Sequence, residues 1–131
     1  MINLNHLLKG FGLIPSEGER YVSLHFGGPV STGSMFILHS PDFNAASTSR
    51  APGGLAMTSD QTILDALARG EGPTRMKVMI GYSGWGPGQL KKEIARGDWL
   101  NVPADADFVF DASGSDVDQW NAARDRAGLT L

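Results

Sequence analysis

The 131-residue sequence predicts an α+β fold built as a single domain. Apolar residues recur with helical spacing at both ends of the chain, whereas short alternating or continuous apolar runs, typical of strands, lie between them. We find no internal repeat, low-complexity tract or domain boundary over residues 1–131. A chain of this length buries roughly two thirds of its unfolded surface, which is enough for a core without cross-links. Packed layers of helices and strands are the expected architecture.

The first half of the chain predicts a helix followed by two strands. The helix is indicated by apolar residues at i, i+3, i+4 and i+7, namely Leu4, Leu7, Leu8 and Phe11. Tyr21–Phe26 alternates as a half-buried strand whose inward side chains would be Val22, Leu24 and Phe26. A turn through residues 27–34 leads to a second strand, Met35–His39. The short connection favours antiparallel pairing of these two strands.

The second half of the chain predicts a helix, a buried strand and a second helix. Thr58 and Gln61 have the spacing of a capping box for a helix that ends at Gly70. Met76–Ile80 reads as a buried strand, and a helix follows from Gln89 to Gly97.

Two further elements are predicted near the C-terminus. Phe108–Phe110 is predicted to be a short strand. Ser115 is the expected cap of a final helix that Gly128 closes. Acidic residues in the first turn of this helix and arginines near its end suit the helix dipole.

Composition excludes several functional classes. The chain has no cysteine, so disulfides, zinc–thiolate sites, iron–sulfur clusters and thiol catalysis are excluded. The net charge is −3 and no basic stripe is present, so we expect no direct nucleic-acid binding. The sequence contains no apolar run near the roughly 20 residues of a membrane span. It also lacks a recognisable signal peptide. We therefore expect a cytoplasmic protein without a membrane partner.

The most informative stretch is Gly81–Gly88, between the buried strand and the next helix. It holds four glycines, one proline and two aromatic residues in eight positions. A hydrolase nucleophile elbow centred on Ser83 would need glycine at position 85, where the chain has Trp85. A Walker A loop would need lysine after Gly88, where the chain has Gln89. Ser83 is therefore interpreted as a small turn residue.

Two interpretations of the glycine-rich turn stay open. The amides of Gly86, Gly88 and Gln89 could accept an anion at the start of a helix. Alternatively, the glycines serve packing, with Tyr82 and Trp85 folded back onto the core.

The histidines suggest a metal site only weakly. His25 and His39 lie near the ends of the two strands that we expect to be neighbours. Two histidines without a carboxylate to complete the ligand set are a weak indication of a metal site. We therefore predict hydrogen-bonded histidines and no metal.

Beyond single motifs, the segment GYSGWGPGQLKKEIARGDWL at Gly81–Leu100 resembles the signature of the YqgE/AlgH family. Phe26–Val30 is similar to its G-G-P-V motif, and Phe36–Ser40 to its strand that ends in Leu-His. Thr58–Asp60 is similar to the threonine-and-aspartate start of a helix. The tryptophan–alanine–glycine pattern of its last helix is matched by Trp120, Ala123 and Gly128. The resemblance covers essentially the whole chain.

The resemblance implies an AlgH-like domain with a mixed, strongly curved sheet flanked by about four helices. It implies a regulator of transcription, which we expect to act indirectly because the chain shows no helix-turn-helix pattern. It supplies no reaction, cofactor or catalytic residue. Family members usually begin with two further strands and extend past the final helix. The sequence does not show these two strands. We therefore expect that a strand edge which they normally cover is exposed and favours self-association.

Three functional hypotheses follow. The first is a non-enzymatic regulatory protein that acts through a protein partner, a homodimer contact or a small ligand. The second is a ligand-binding or weakly hydrolytic domain that binds a small anion, such as a nucleotide, at a wall made of both glycine turns. That wall would contain Gly27, Gly28, Tyr82, Ser83, Gly84, Trp85, Gly86, Gly88 and Gln89. The third assigns both turns a purely architectural role. We predict no catalytic residue, cofactor or metal.

Overall fold

The computed structural model describes residues 1–16, 18, 20–110 and 115–128. The chain divides into two compact units, Met1–Ser83 (unit 1) and Gly84–Leu131 (unit 2). The α+β fold class is confirmed. The single-domain organisation stays a prediction.

The described residues of unit 1 form two sheets and two helices. The small sheet pairs β1 (Ile2–Asn3) with β2 (Tyr21–Val22) in antiparallel fashion. The strands of the large sheet are β3 (Leu24–Phe26), β4 (Val30–His39), β5 (Ser49–Ala51), β6 (Leu55–Thr58) and β7 (Met76–Tyr82). Their order is β3-β7-β4-β6-β5. β3 runs parallel to β7 and the other neighbours are antiparallel, so the sheet is mixed, as expected.

The core of unit 1 lies between the helices and one face of this sheet. The side chain of Asn3 accepts a hydrogen bond from the Asn5 N–H at 2.9 Å and starts α1 (Leu4–Gly10). The second helix, α2, spans Thr62–Ala68. Both helices pack against Ile37 of β4 and Val78 of β7. The buried apolar cluster consists of Leu4, Leu8, Val22, Ile37, Ile63, Leu64, Leu67, Ala68 and Val78.

Unit 2 contains α3 (Gln89–Ala95), α4 (Ala106–Phe110) and α5 (Asp116–Arg126) in its described part. The predicted cap of α5 is confirmed. The Ser115 side chain accepts from the Asp118 N–H, and the Asp118 carboxylate accepts from the Ser115 N–H. The predicted strand Phe108–Phe110 is wrong, because these residues belong to α4. The carboxylate of Asp105 accepts from the Phe108 N–H at 2.9 Å and stabilises the helical start.

The predicted pairing of the first two strands is also wrong. Tyr21–Phe26 is two strands, and β3 does not neighbour β4 because β7 lies between them. β3 is an edge strand, so the side chain of Phe26 is 69% exposed rather than inward. Residues 30–34 of the predicted turn lie within β4, which begins at Val30 and shifts register before Met35.

Thr58 does not cap the second helix. It ends β6, and α2 begins after Asp60, whose carboxylate accepts from the Thr62 N–H at 2.9 Å. Thr58 and His39 are instead fully buried partners. The Nδ1–H of His39 donates to the Ser40 carbonyl at 2.6 Å, and its Nε2 accepts from the Thr58 hydroxyl at 2.7 Å. Thr58 is also bonded to Thr48 at 2.7 Å, which ties the 40–48 segment to the sheet.

Two carboxylates hold the same region together. Asp60 accepts from the Ser47 hydroxyl at 2.5 Å and from the hydroxyl of Thr62. The Ser47 bond first, and the Thr62 bond second, lower the pKa of Asp60 to about 2. The Ser40 hydroxyl, at 2.6 Å, and then Thr74 lower the pKa of Asp42 in the same way. The folded state therefore favours the charged form of both carboxylates.

The Thr58→Val substitution keeps the shape of the side chain and removes its hydroxyl. Because His39 Nε2 then loses its partner in a fully buried place, we expect the free energy of unfolding to fall by about 1–3 kcal/mol. Urea unfolding measures this change. Thr32→Val, at an exposed position of β4, is the control and should have almost no effect. Equal losses in the two variants would contradict the proposed role of the buried bond.

Stability should also fall at acid pH. The pKa values of Asp60 and Asp42 are lower in the folded state than their ordinary value of 3.8, so their contribution is complete above that value. It is lost as the pH falls from about 4 towards about 2. In Asp60→Asn, urea unfolding midpoints should depend less on pH across this range, and Ser47→Ala should act in the same direction. Parallel pH curves for the wild type and the Asp60→Asn variant would count against this assignment.

Candidate functional site

Two glycine-containing segments of unit 1 meet at the end of β7. The Gly27 N–H donates to the Ile80 carbonyl at 2.7 Å. A Cβ atom on Gly27 would overlap the carbonyl oxygen of Gly81, and one on Gly28 would overlap the carbonyl of Tyr82 and the hydroxyl of Ser83. The two backbones thus touch where no side chain fits. The structure therefore brings Gly27, Gly28, Tyr82 and Ser83 together.

Gly81 redirects the end of β7. Its φ of +71° is in the left-handed region, which side chains disfavour. The ring of Tyr82 lies edge-on to Phe36, with ring centroids 5.7 Å apart. Phe36 pairs with Met79, and both lie on the sheet face opposite Ile37 and Val78 because side chains alternate along a strand. Tyr82 therefore joins the face that α1 and α2 do not cover.

A groove of about 460 Å³ lies on this face. Its lining consists of Gly27, Phe36, Leu38, Met57, Met79, Gly81, Tyr82 and Ser83. The polar side-chain groups of this lining are the hydroxyls of Tyr82 and Ser83, and none of the lining side chains carries a charge. Met57 and Tyr82 are 41% and 43% exposed, respectively. The groove is therefore an open, apolar surface with two hydroxyl groups.

The remaining residues of the predicted wall belong to unit 2. Pro87 and Gly88 form a tight turn in which the Gln89 N–H donates to the Gly86 carbonyl at 3.0 Å. The φ of +74° at Gly88 is typical of a type II turn. The Gln89 side-chain oxygen accepts from the Gly86 N–H at 2.9 Å. An anion at these two amides would have to replace both bonds, so the anion site stays a prediction that the turn does not favour.

Neither Tyr82 nor Trp85 is buried. Trp85 is 40% exposed and donates from its indole N–H to the Glu93 carboxylate at 2.7 Å. Its ring lies edge-on to Trp99, with ring centroids 5.8 Å apart. The packing interpretation is therefore wrong for both aromatic side chains. Trp85 instead contacts Glu93 and Trp99, which both belong to unit 2.

The local geometry does not form a nucleophile elbow. In an elbow, the serine stands on a sharp turn directly between strand and helix. Here β7 ends at Tyr82, and α3 begins only at Gln89, six residues after Ser83. Both ring nitrogens of His39 are bonded to Ser40 and Thr58, so this histidine is engaged in the core.

Five groove residues were absent from the predicted site, namely Phe36, Leu38, Met57, Met79 and Gly81. A signal for them existed in the sequence. β4 and β7 are apolar on both faces, as in strands that are covered on both sides. That pattern by itself predicts burial of both faces. The structure covers one face with helices and leaves the other open in unit 1.

Within the described residues, no group of three or more His, Asp or Glu side chains is arranged to hold a metal ion. The helices of the same part of the chain are too short or too polar for any of them to cross a membrane.

Three features define the class of this protein: the mixed α+β fold, the crossing of the Gly27–Gly28 segment over the end of β7, and Trp85 with the tight turn Gly86–Gln89 that follows it (the Trp85 turn). Comparison with known proteins identifies this class. The AlgH-like family model (DUF179) matches residues 1–131. A UPF0301 protein of Methylococcus capsulatus is 45% identical over 128 residues, which are 98% of this chain and 69% of that protein. A UPF0301 protein of Paraburkholderia phytofirmans is 46% identical over 113 residues, 85% of this chain and 58% of that protein. The chain belongs to the AlgH-like family.

Solved structures agree with this assignment. The solution structure of the AlgH protein from Pseudomonas aeruginosa has a TM-score of 0.74 and 34% identity, covering 99% of this chain and 68% of that one. A crystal structure of a Corynebacterium diphtheriae protein has a TM-score of 0.57 at 24% identity, covering 86% of this chain and 58% of that one, and shows the fold alone. The chain spans 58–69% of the length of these relatives.

The glycine crossing gives a direct test of its architectural role. Gly27→Ala and Gly28→Ala place a methyl group against backbone atoms, so we expect each to reduce the free energy of unfolding by about 1–3 kcal/mol or more. Gly33→Ala is the matched control, because a Cβ there meets nothing within 4 Å. Urea unfolding compares the three variants. A loss in Gly33→Ala as large as in Gly28→Ala would show that glycine content, rather than the crossing, matters.

Proposed function

We propose that this protein is a non-catalytic binding protein whose groove on the open sheet face takes a small, neutral and mainly apolar molecule. The observation that carries the proposal is the groove itself, which combines an apolar lining with the hydroxyls of Tyr82 and Ser83. Its volume of about 460 Å³ falls within the range of ligand sites, roughly 300–1,000 Å³.

The chemistry of the lining selects the ligand. Phe36, Leu38, Met57 and Met79 offer apolar contacts, and methionine adapts its shape to irregular partners. A ligand with an apolar body and one hydroxyl or carbonyl group would bury its body there and hydrogen-bond to Tyr82 or Ser83. We propose a neutral ligand rather than an anion because none of the described residues that line the groove is a cation that could offset the cost of desolvating a charge.

The proposed biological role is regulation through other proteins. In this scheme, ligand occupancy of the groove alters a contact with a protein partner or a second copy of the chain. Any effect on transcription is then indirect, which agrees with the acidic net charge of −3. A cytoplasmic location is part of the same proposal.

Octan-1-ol is a suitable first probe because it is neutral, aliphatic and carries one hydroxyl. In protein labelled at the methionine methyl groups, NMR titration should shift the signals of Met57 and Met79 but not that of Met1. Met57→Gln replaces part of the apolar wall, so we expect about tenfold weaker binding. Ile14→Gln is the control, since Ile14 is an exposed apolar residue of the same unit outside the groove.

Two outcomes would contradict the proposal. One is an equal shift of all methionine signals, which indicates non-specific partitioning. The other is an equal loss of affinity for octan-1-ol in Ile14→Gln and Met57→Gln, which would show that the probe does not bind in the groove.

A further inference from the structure

Unit 2 has a second pocket that the proposed function does not use. It has a volume of about 400 Å³ and is lined mainly by Trp99, Leu100, Val102, Trp120 and Arg124. Trp99 and Trp120 are 50% and 61% exposed, respectively. Tryptophan is usually well buried, so two exposed indoles around one pocket form an aromatic surface available for contact.

The lining of the pocket contains one cation, Arg124, which has no ion-pair partner among the described residues. The guanidinium carbon of Arg124 lies 5.0 Å from the ring centroid of Trp120, one helical turn earlier on α5. Arg124 Nε is buried and has no hydrogen-bond partner among the described residues. The carboxylate of Asp98, which also lines the pocket, is bonded to Arg96 Nε at 3.1 Å and Nη2 at 2.9 Å. Asp98 is thus paired with Arg96 and not with Arg124.

The walls of the pocket are held in place by contacts outside it. Trp85 is fixed by its hydrogen bond to Glu93 and supports Trp99 edge-on. On the other side, Arg126 donates to the Pro103 carbonyl at 3.0 Å, next to Val102. These contacts order the indole of Trp99 and the segment that follows it before any ligand arrives. Less side-chain entropy is then lost on binding.

We propose that this pocket binds a small planar aromatic molecule that carries a carboxylate. The aromatic ring packs against the exposed indoles of Trp99 and Trp120. The carboxylate pairs with the guanidinium of Arg124, whose planar donors match its two oxygens. The lining supplies aromatic faces together with an unneutralised cation, and this combination selects the aromatic anion over an aliphatic acid or a neutral aromatic. The site lies within unit 2 and is independent of the groove of unit 1.

Naphthalene-2-carboxylate is the probe, and naphthalene-2-carboxamide and cyclohexanecarboxylate are its matched comparisons. Isothermal titration calorimetry on the full chain should detect the first compound and much weaker binding of the other two. NMR should show shifts of the indole N–H signals of Trp99 and Trp120. Arg124→Gln should weaken binding of naphthalene-2-carboxylate by about ten- to hundredfold. Lys91→Gln, which removes an exposed cation from the same unit, should leave binding unchanged.

The comparison of the three compounds on the wild-type chain tests the proposal even if Arg124→Gln does not fold. Equal affinity for the carboxylate and the carboxamide would overturn it, because the cation would then play no part. Absence of binding at millimolar probe would overturn it as well. Saturable binding of a proline-rich peptide, without any response to the carboxylate, would assign the aromatic surface to a protein partner instead. Because octan-1-ol lacks both ring and charge, failure of the groove proposal leaves this test unaffected.

Discussion

The backbone contact between Gly27–Gly28 and the end of β7 is the constraint on which the large sheet depends. It allows the chain to leave β3, cross the end of β7 and return as β4 on its other side. Any Cβ at Gly27 or Gly28 would push the crossing away from the carbonyl groups of Gly81 and Tyr82. The same crossing places Tyr82 and Ser83 beside Gly28, at the groove. The same backbone contact therefore supports both the large sheet and the groove.

The two faces of the sheet have different roles in unit 1. One face meets α1 and α2 and includes the fully buried His39, whose bonds to Ser40 and Thr58 satisfy both ring nitrogens. Such satisfied polar groups fix neighbouring segments, because leaving either partner unpaired in the core is costly. The other face keeps its apolar residues accessible. A rigid, well-bonded face thus supports an open one that can contact a ligand.

The Trp85 turn shows how residues of a family signature hold their own backbone and a neighbouring aromatic side chain in place. Pro87 and Gly88 set the turn, and Gln89 bonds back to Gly86. Trp85 then reaches Glu93 and orients Trp99. The sequence showed that these residues were special. It left an anion site and a packing role open for the turn, and the structure shows the amides of Gly86 and Gln89 bonded within the turn itself.

Local patterns alone determined much of this protein. The four-residue spacing of Leu4 and Leu8, the apolar run of β7 and the capping box at Ser115 each encode their element, because the relevant contacts lie within a few residues. Strand order was decided by tertiary structure, since β7 is remote in sequence from the strands it separates. Tertiary structure also decided the role of Thr58, because its hydroxyl bonds to His39 on the neighbouring strand rather than to a nearby amide. The open groove follows from the same cause: a sequence shows that a side chain is apolar, but only packing decides which apolar face is covered.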